Sequence, residues 1–277
     1  MEWNWLHSLI FGFLSGFAEF LPISADAHQY LFSYLTGAGD ELLGFRFVCH
    51  ISALTVLFFS CRTQLHRLSR ERRIAAVPAK RRRRQPDRLV MMDLKVLRTA
   101  AVPMLLAFIL FVKICDYPQK LWLMALLWAG NGLILFLPQF FRSGNKTSQG
   151  MSAVDSLLIG LSGALAIVPG ISRIGALISG GRLRGGDGHY TADIALLLCI
   201  PALVVLIGFD IYAIYLGQSI LSLGLLPNYF LAAAAACAGA FFGILLLRFM
   251  AVKTGFSGFA YYCWGAALLT FALYLTI

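Results

Sequence analysis

Six apolar stretches, at roughly 45–60, 96–114, 121–141, 190–216, 228–250 and 256–276, are long enough to cross or nearly cross a bilayer. The hydrocarbon layer is about 30 Å thick, and about twenty apolar helical residues span it. Lipid offers no partner to a loose backbone group, so such stretches are confined to helices packed side by side. Composition agrees. Of the 277 residues, 59% are hydrophobic and only 13% charged, against about a quarter charged in a soluble domain. The expectation is an all-α polytopic membrane protein, one integral membrane domain over 1–277 with about six transmembrane helices.

Two further apolar stretches, 5–36 and 151–180, are interrupted midway by Pro22-Ile23-Ser24 and by Pro169-Gly170-Ile171-Ser172. Proline removes a backbone donor, so each interruption leaves polar backbone at membrane depth, where only protein or a watery cavity solvates it. These breaks are therefore the places to look for a site. They also resemble each other. Leu14-Ser15-Gly16 precedes Pro22 by the same five residues that separate Leu161-Ser162-Gly163 from Pro169.

The formal charge of +10 suggests nucleic acid in a soluble protein, but its placement says otherwise. Residues 61–98 hold thirteen Lys/Arg and three acidic residues, so this segment carries the whole excess and the remainder is neutral. A basic loop between two apolar spans is what the positive-inside bias produces. Residues 61–95 are read as a basic cytoplasmic loop, with contact to anionic lipid headgroups as a lesser role and no nucleic-acid partner. That orientation places 114–120 outside, and 142–150, 182–189, Arg248 and Lys253 inside. The stretch 5–36 then enters and leaves from outside, and 151–180 from the cytoplasm. Two re-entrant helix pairs from opposite faces make an inverted-topology repeat, with the breaks facing each other near the midplane.

The six cysteines lie mostly in apolar stretches with no metal spacing and are read as packed thiols. The N-terminus lacks a basic region and carries Glu19 in its apolar run, so no cleaved signal peptide is read. Trp3, Trp5, Trp122, Tyr261, Tyr262 and Trp264 are read as interfacial belts. Gly180-Gly181 through Gly185-Gly186 is read as a cytoplasmic turn.

The first break offers Glu19, Ser24, Asp26 and His28, and the second offers Gly170, Ser172 and Arg173. Ionisable residues at membrane depth face a cavity or a partner. Glu19 is either a structural ion-pair partner of Arg173 or a functional carboxylate, and the first does not exclude the second. Arg173 beside Gly170 and Ser172 combines a guanidinium, a hydroxyl and backbone N–H groups at a helix start, which is phosphate-binding chemistry. His28, close to Glu19 and Ser24, suits acid–base work. His50 either packs or lines the same cavity, and Asp210 is read as interfacial.

At these residues a family resemblance emerges. Glu19-Phe20-Leu21-Pro22-Ile23-Ser24-Ala25-Asp26-Ala27-His28 resembles the EFLPxSSTGH motif of the bacterial undecaprenyl-pyrophosphate phosphatase (bacitracin-resistance) family. Pro169-Gly170-Ile171-Ser172-Arg173-Ile174-Gly175-Ala176 resembles its PGxSRSGAT motif. The resemblance implies six spans with two re-entrant pairs, and conversion of undecaprenyl pyrophosphate to undecaprenyl phosphate in recycling of the cell-wall lipid carrier. It implies catalytic roles for Glu19, Ser24, His28 and Arg173, and substrate binding by Arg173, Ser172, Gly170, Ser24 and Asp26. It also implies a divalent cation, Mg2+ or Ca2+, with Glu19 as a ligand. The partners implied are a polyprenyl pyrophosphate lipid, the bilayer and, as an option, a second copy in a homodimer. The location implied is the bacterial plasma membrane, with the site opening outward. Three residues depart from the pattern: Ser15 stands where the family has the first glutamate of an ExxxE pair, Ala25 where it has a second serine, and Ile174 where it has a serine. The alternative reading is a homologue that binds or transports polyprenyl phosphates without hydrolysis. Hydrolysis of another lipid or small phosphate is a third.

Overall fold

The computed structural model describes residues 3–38, 42–111, 120–141, 144–217, 222–253 and 256–276. Among these the chain is all-α. The helices are α1 (Trp5–Glu19), α2 (Ala25–Thr36), α3 (Leu42–Ser60), α4 (Arg62–Ala76), α5 (Arg88–Phe111), α6 (Leu121–Phe136), α7 (Ala153–Ala164), α8 (Arg173–Leu183), α9 (Gly188–Tyr215), α10 (Leu226–Lys253) and α11 (Gly258–Leu275).

Length sorts these helices into two kinds. The α3, α6, α9, α10 and α11 segments are long and apolar enough to cross a membrane. The 24-residue α5, where the sequence predicts the sixth span, is charged in its first turns at Arg88, Asp93, Lys95 and Arg98 and apolar beyond them, and is not among these five. By contrast α1, α2, α7 and α8 have 15, 12, 12 and 11 residues. At 1.5 Å per residue the longest of these reaches only about 22 Å, so none crosses the bilayer alone. Each enters, breaks and turns back. The expected external connection 114–120, and Cys115 and Arg142 with it, lies outside the described residues except for Lys120.

Helix starts follow local chemistry. Asn4 caps α1 by accepting from His7 N–H at 2.9 Å. Ser152 and Asp155 form a reciprocal capping box at the start of α7. Asp187 accepts from Tyr190 N–H at 2.9 Å to start α9. Both re-entrant return helices begin at a serine cap, Ser24 for α2 and Ser172 for α8.

The bundle is held by close backbone approach, because lipid tails give helices no hydrophobic reason to associate. Gly12 and Gly16 of α1 lie directly against the backbone of Ala232 and Ala236 on α10, leaving no room for a Cβ. Gly239 of α10 meets the backbone of Phe13 and Phe17 in turn. On the other side of the bundle Gly160 of α7 lies against Ala100 of α5. These are equivalent contacts in an inverted repeat. Exchanging α1, α2, α3, α5 and α6 with α7, α8, α9, α10 and α11 maps the α1–α10 pairing onto α7–α5, α3–α10 onto α9–α5, and α1–α2 onto α7–α8. The α3–α9 and α6–α11 pairings map onto themselves. Helix α4 falls outside the exchange.

Several sequence expectations need correction. The basic segment is no simple loop: residues 62–76 form α4. Leu65, Leu68, Glu71, Ile74 and Ala75 recur at three- and four-residue spacing and are buried or half-buried, a helical stripe masked by the surrounding arginines. The segment closes around Glu71, which is 1% exposed. Arg84 binds it through both terminal nitrogens at 3.0 and 2.5 Å, Asp87 N–H at 3.0 Å and Arg70 at 3.1 Å. The Arg84 hydrogen bonds foremost, then the Asp87 N–H, hold this carboxyl down to about 2.

Gly180 and Gly181 are not in a turn. They lie inside α8 against Ser162 and Thr191, and only Gly185-Gly186 make the turn to α9. Among the belt candidates, Trp3 is buried and stacked on Phe45 at 3.8 Å. Trp264 packs on Gly132 and donates to the Ala129 carbonyl at 3.2 Å. Trp5, Trp122 and Tyr261 are exposed on the bundle surface. Cys49, Cys61, Cys199 and Cys263 are buried free thiols, and Cys237 is half-buried.

Candidate functional site

Breaking a helix at membrane depth frees carbonyls that must find donors. In the first break the carbonyls of residues 21–24 do. The Ser172 hydroxyl donates to Leu21 O at 3.0 Å, Asn131 Nδ2 to Pro22 O at 3.0 Å and Trp128 Nε1 to Ile23 O at 2.9 Å. His28 Nδ1 lies 2.7 Å from Ser24 O. Asn131 also accepts from Ser172 N–H at 2.8 Å, so a single α6 side chain ties the two breaks together. The breaks thus face each other, as the repeat implied.

With the carbonyls consumed, N–H groups remain. The first N–H groups of α2 and α8 have no intrahelical acceptor. The serine caps take one each, Ala27 N–H at 3.3 Å and Gly175 N–H at 3.2 Å. Both helix starts therefore present the positive end of a helix dipole toward the junction.

The backbone at the junction is constrained. Ser24 has φ 66°, the one non-glycine residue with positive φ among the described residues. Side chains rarely tolerate that region, and such strain clusters at functional sites. Gly170 has φ 95°, and a Cβ there would lie 2.8 Å from Leu127 Cβ. Only glycine suits both restrictions.

Arg173, the first residue of α8, points into this junction and is 9% exposed. Its Nη1 donates to Glu19 Oε1 at 2.7 Å, so the pairing of Glu19 with Arg173 is realised. The guanidinium lies over the Phe108 ring, 5.4 Å from its centroid. Asp26 and the Cys199 thiol are within electrostatic range of it. Arg173 Nε is buried with no hydrogen-bond partner, and Ser15 lies one turn before Glu19. Ser15 is flanked by the Cys49 thiol. A buried unpaired donor costs about 1–3 kcal/mol, and the arginine of the junction bears that cost.

His28 sits beside the junction, 6% exposed. Its Nε2 meets the Tyr262 hydroxyl at 2.7 Å, and its ring stands edge-on to Trp128 at 4.7 Å. Its hydrogen bonds therefore run to Ser24 and Tyr262, not to Glu19. His50 and Asp210 form a separate cluster: Asp210 is 2% exposed, accepts from Arg46 at 2.8 Å and lies 2.6 Å from His50 Nδ1. Asp210 is thus buried in protein, where Arg46 neutralises it and His50 bonds its second oxygen.

No three His, Cys, Asp or Glu side chains among the described residues converge to hold a metal ion. Glu19, the expected ligand, faces a guanidinium instead. These donors do not fit a divalent cation held by protein side chains.

Sequence reasoning does not single out Trp128 or Asn131, and it offers Tyr262 only as a belt residue. Asn131 had a signal, since an amide within an apolar span is costly unless bonded. The two aromatics had none beyond composition.

Fold and junction define a polytopic membrane protein that encloses a charged candidate site between two broken helices. Sequence comparison then places it: the chain belongs to the family described as bacitracin resistance protein BacA, whose sequence model matches residues 8–269. It is similar to the undecaprenyl-diphosphatase of Nocardioides sp. (strain ATCC BAA-499 / JS614), 31% identical over 202 residues covering 73% of this chain and 72% of that protein. It is 26% identical to the undecaprenyl-diphosphatase of Carboxydothermus hydrogenoformans over 94% of both chains. Undecaprenyl-diphosphatase 1 of Shouchella clausii is 29% identical over 96% of this chain and 95% of that protein.

Proposed function

We propose that this protein hydrolyses undecaprenyl pyrophosphate to undecaprenyl phosphate, with the junction of the two breaks as its active site. Family membership supports the reaction, and the unpaired Nε of Arg173 carries its assignment to this site. In this reading the guanidinium and the starts of α2 and α8 hold the diphosphate oxygens, with Ser172 and Gly170 shaping the α8 start. Fixed donors of this kind supply most of the catalysis in phosphoryl transfer. Glu19 orients Arg173, and Asp26 adds a second carboxylate at the start of α2. Water attacks the terminal phosphorus, the bridging P–O bond breaks, and the proton the water loses passes to His28. Ser24 holds the strained turn that aims α2.

The protein belongs in this reading to the bacterial plasma membrane. Residues 62–98 lie on the cytoplasmic side, supported by their excess of Lys/Arg, and the site is reached from outside.

The test is phosphate release from undecaprenyl pyrophosphate by purified protein, with Arg173→Ala as control and its thermal melting measured in parallel. Release that disappears in a folded Arg173→Ala supports the reading. No release by the wild type, with binding of the lipid phosphate retained, would favour a binder or carrier. The buried Ser15 and Ala25 at motif positions are the observations behind that second reading.

A further inference from the structure

A cavity of about 490 Å³ runs between α1, α10 and α11 and stops at the first break. Leu14, Phe17, Leu246, Met250 and Phe259 make its walls apolar, and His28 and Tyr262 supply the ionisable groups in its lining. An amphiphile with its chain in this groove brings its polar head to that pair.

The pair itself has a defined hydrogen-bond sense. The Ser24 carbonyl only accepts, so the hydrogen bond at 2.7 Å places the proton of a neutral His28 ring on Nδ1. Nε2 is then the lone-pair nitrogen, and the Tyr262 hydroxyl at 2.7 Å donates to it. The two rings lie within 9° of parallel, and Trp128, itself held by the Ile23 carbonyl, closes a third side. The titratable groups carried by the elements around the break are Glu19 on α1, Asp26 on its own α2, Arg173 at the start of α8, and Tyr262 and Cys263 on α11. Of these, only Tyr262 bonds to it. In the resting protein the nitrogen that would accept a proton is therefore covered.

We propose that Tyr262 binds the phosphate head of the substrate and, in doing so, uncovers His28. This deepens the function proposed above and rests on it. A phosphate oxygen of the diphosphate head is a stronger acceptor than a neutral imidazole nitrogen, so the Tyr262 O–H transfers its hydrogen bond to the phosphate. Nε2 is left free and already in the tautomer needed to take one proton from the attacking water. One O–H bond of water breaks, one N–H bond forms, and that proton returns to the phosphate product. The base becomes available only when a phosphate head lies at the end of the groove.

The experiment is Tyr262→Phe, with Tyr261→Phe as control because Tyr261 neither lines the groove nor bonds to His28. On undecaprenyl pyrophosphate, Tyr262→Phe should raise KM about tenfold and leave kcat within about threefold, since it loses a phosphate donor but not the base. The second readout needs no turnover. In protein carrying 15N-histidine, a methylene-bridged polyprenyl diphosphonate should shift the Nε2 resonance of His28 in the wild type. Tyr262→Phe should show the uncovered Nε2 resonance before ligand is added. An unchanged KM, or an Nε2 resonance that ignores both ligand and substitution, overturns the proposal. A wild type that releases no phosphate overturns the function instead, while the diphosphonate titration still reports on Tyr262.

Discussion

The two breaks occupy equivalent places in the repeat and share the pattern Leu-Ser-Gly, five residues, proline, yet they do opposite chemistry. The first turns on Ser24 at φ 66° and surrounds its freed carbonyls with side chains from α2, α6 and α8. The second turns on Gly170 at φ 95° and contributes the cation. Alignment of the repeats sets Ala25 opposite Arg173, so one half supplies the charge the other omits. Duplicated backbone gives two facing helix starts. Divergent side chains make the space between them a candidate site, because two equal halves would put like charges together.

Breaking the comparison at its most unequal position should have the largest effect. Replacing Arg173 by Lys keeps the charge but removes the planar fork and the Nε donor. Phosphate release should fall by about 10²-fold or more, and steady-state rates on the purified variant will show it. Release at the wild-type rate would mean that charge alone suffices and the orphan Nε is incidental.

Asn131→Leu unties the halves from each other. It strands the Pro22 carbonyl and the Ser172 N–H, each at about 1–3 kcal/mol. Thermal unfolding in detergent should drop clearly, whereas a melting curve identical to the wild type would show the breaks are held by packing instead.

The two turns should answer opposite substitutions with opposite signs. Gly170→Ala forces a Cβ into Leu127 at positive φ and should destabilise by about 1–3 kcal/mol. Gly130→Ala, with open space around it, should not. Ser24→Gly relieves the strained φ and loses only a few tenths of a kcal/mol as a cap. It should gain about 1 kcal/mol of stability while slowing turnover, because the looser turn no longer aims α2. Denaturation midpoints of the three variants decide it.

The smallest effect lies outside both halves. Glu71 is held down to about 2 by Arg84 and the Asp87 N–H. A depressed carboxyl stabilises the fold fully above its ordinary pKa and progressively less as pH falls toward the lowered one. Between roughly pH 4.5 and 2, therefore, the 62–87 segment should become more open to proteolysis. Glu71→Gln should open it at neutral pH and weaken the pH dependence, leaving the part carried by Asp87, which Arg67 also holds below its ordinary value.

Much of this molecule is legible in its amino-acid sequence. The spans announce themselves because lipid demands some twenty apolar residues. The prolines at 22 and 169 announce the breaks because a helix cannot absorb them silently. Glu19 and Arg173 stand out for the same reason: a charge in an apolar run needs a partner. Helix α4 is hidden because its arginines outvote a stripe of five positions.

The sequence by itself determined the membrane class, the repeat, the breaks and the charged pair, since each follows from a local rule about what lipid tolerates. Tertiary structure alone decided what completes the site. Trp128 reaches Ile23 across 105 residues, Asn131 reaches Pro22 across 109, and Tyr262 reaches His28 across 234. No local pattern encodes such pairings, because an amide, an indole or a phenol gains its role only from the particular carbonyl or ring that folding sets against it.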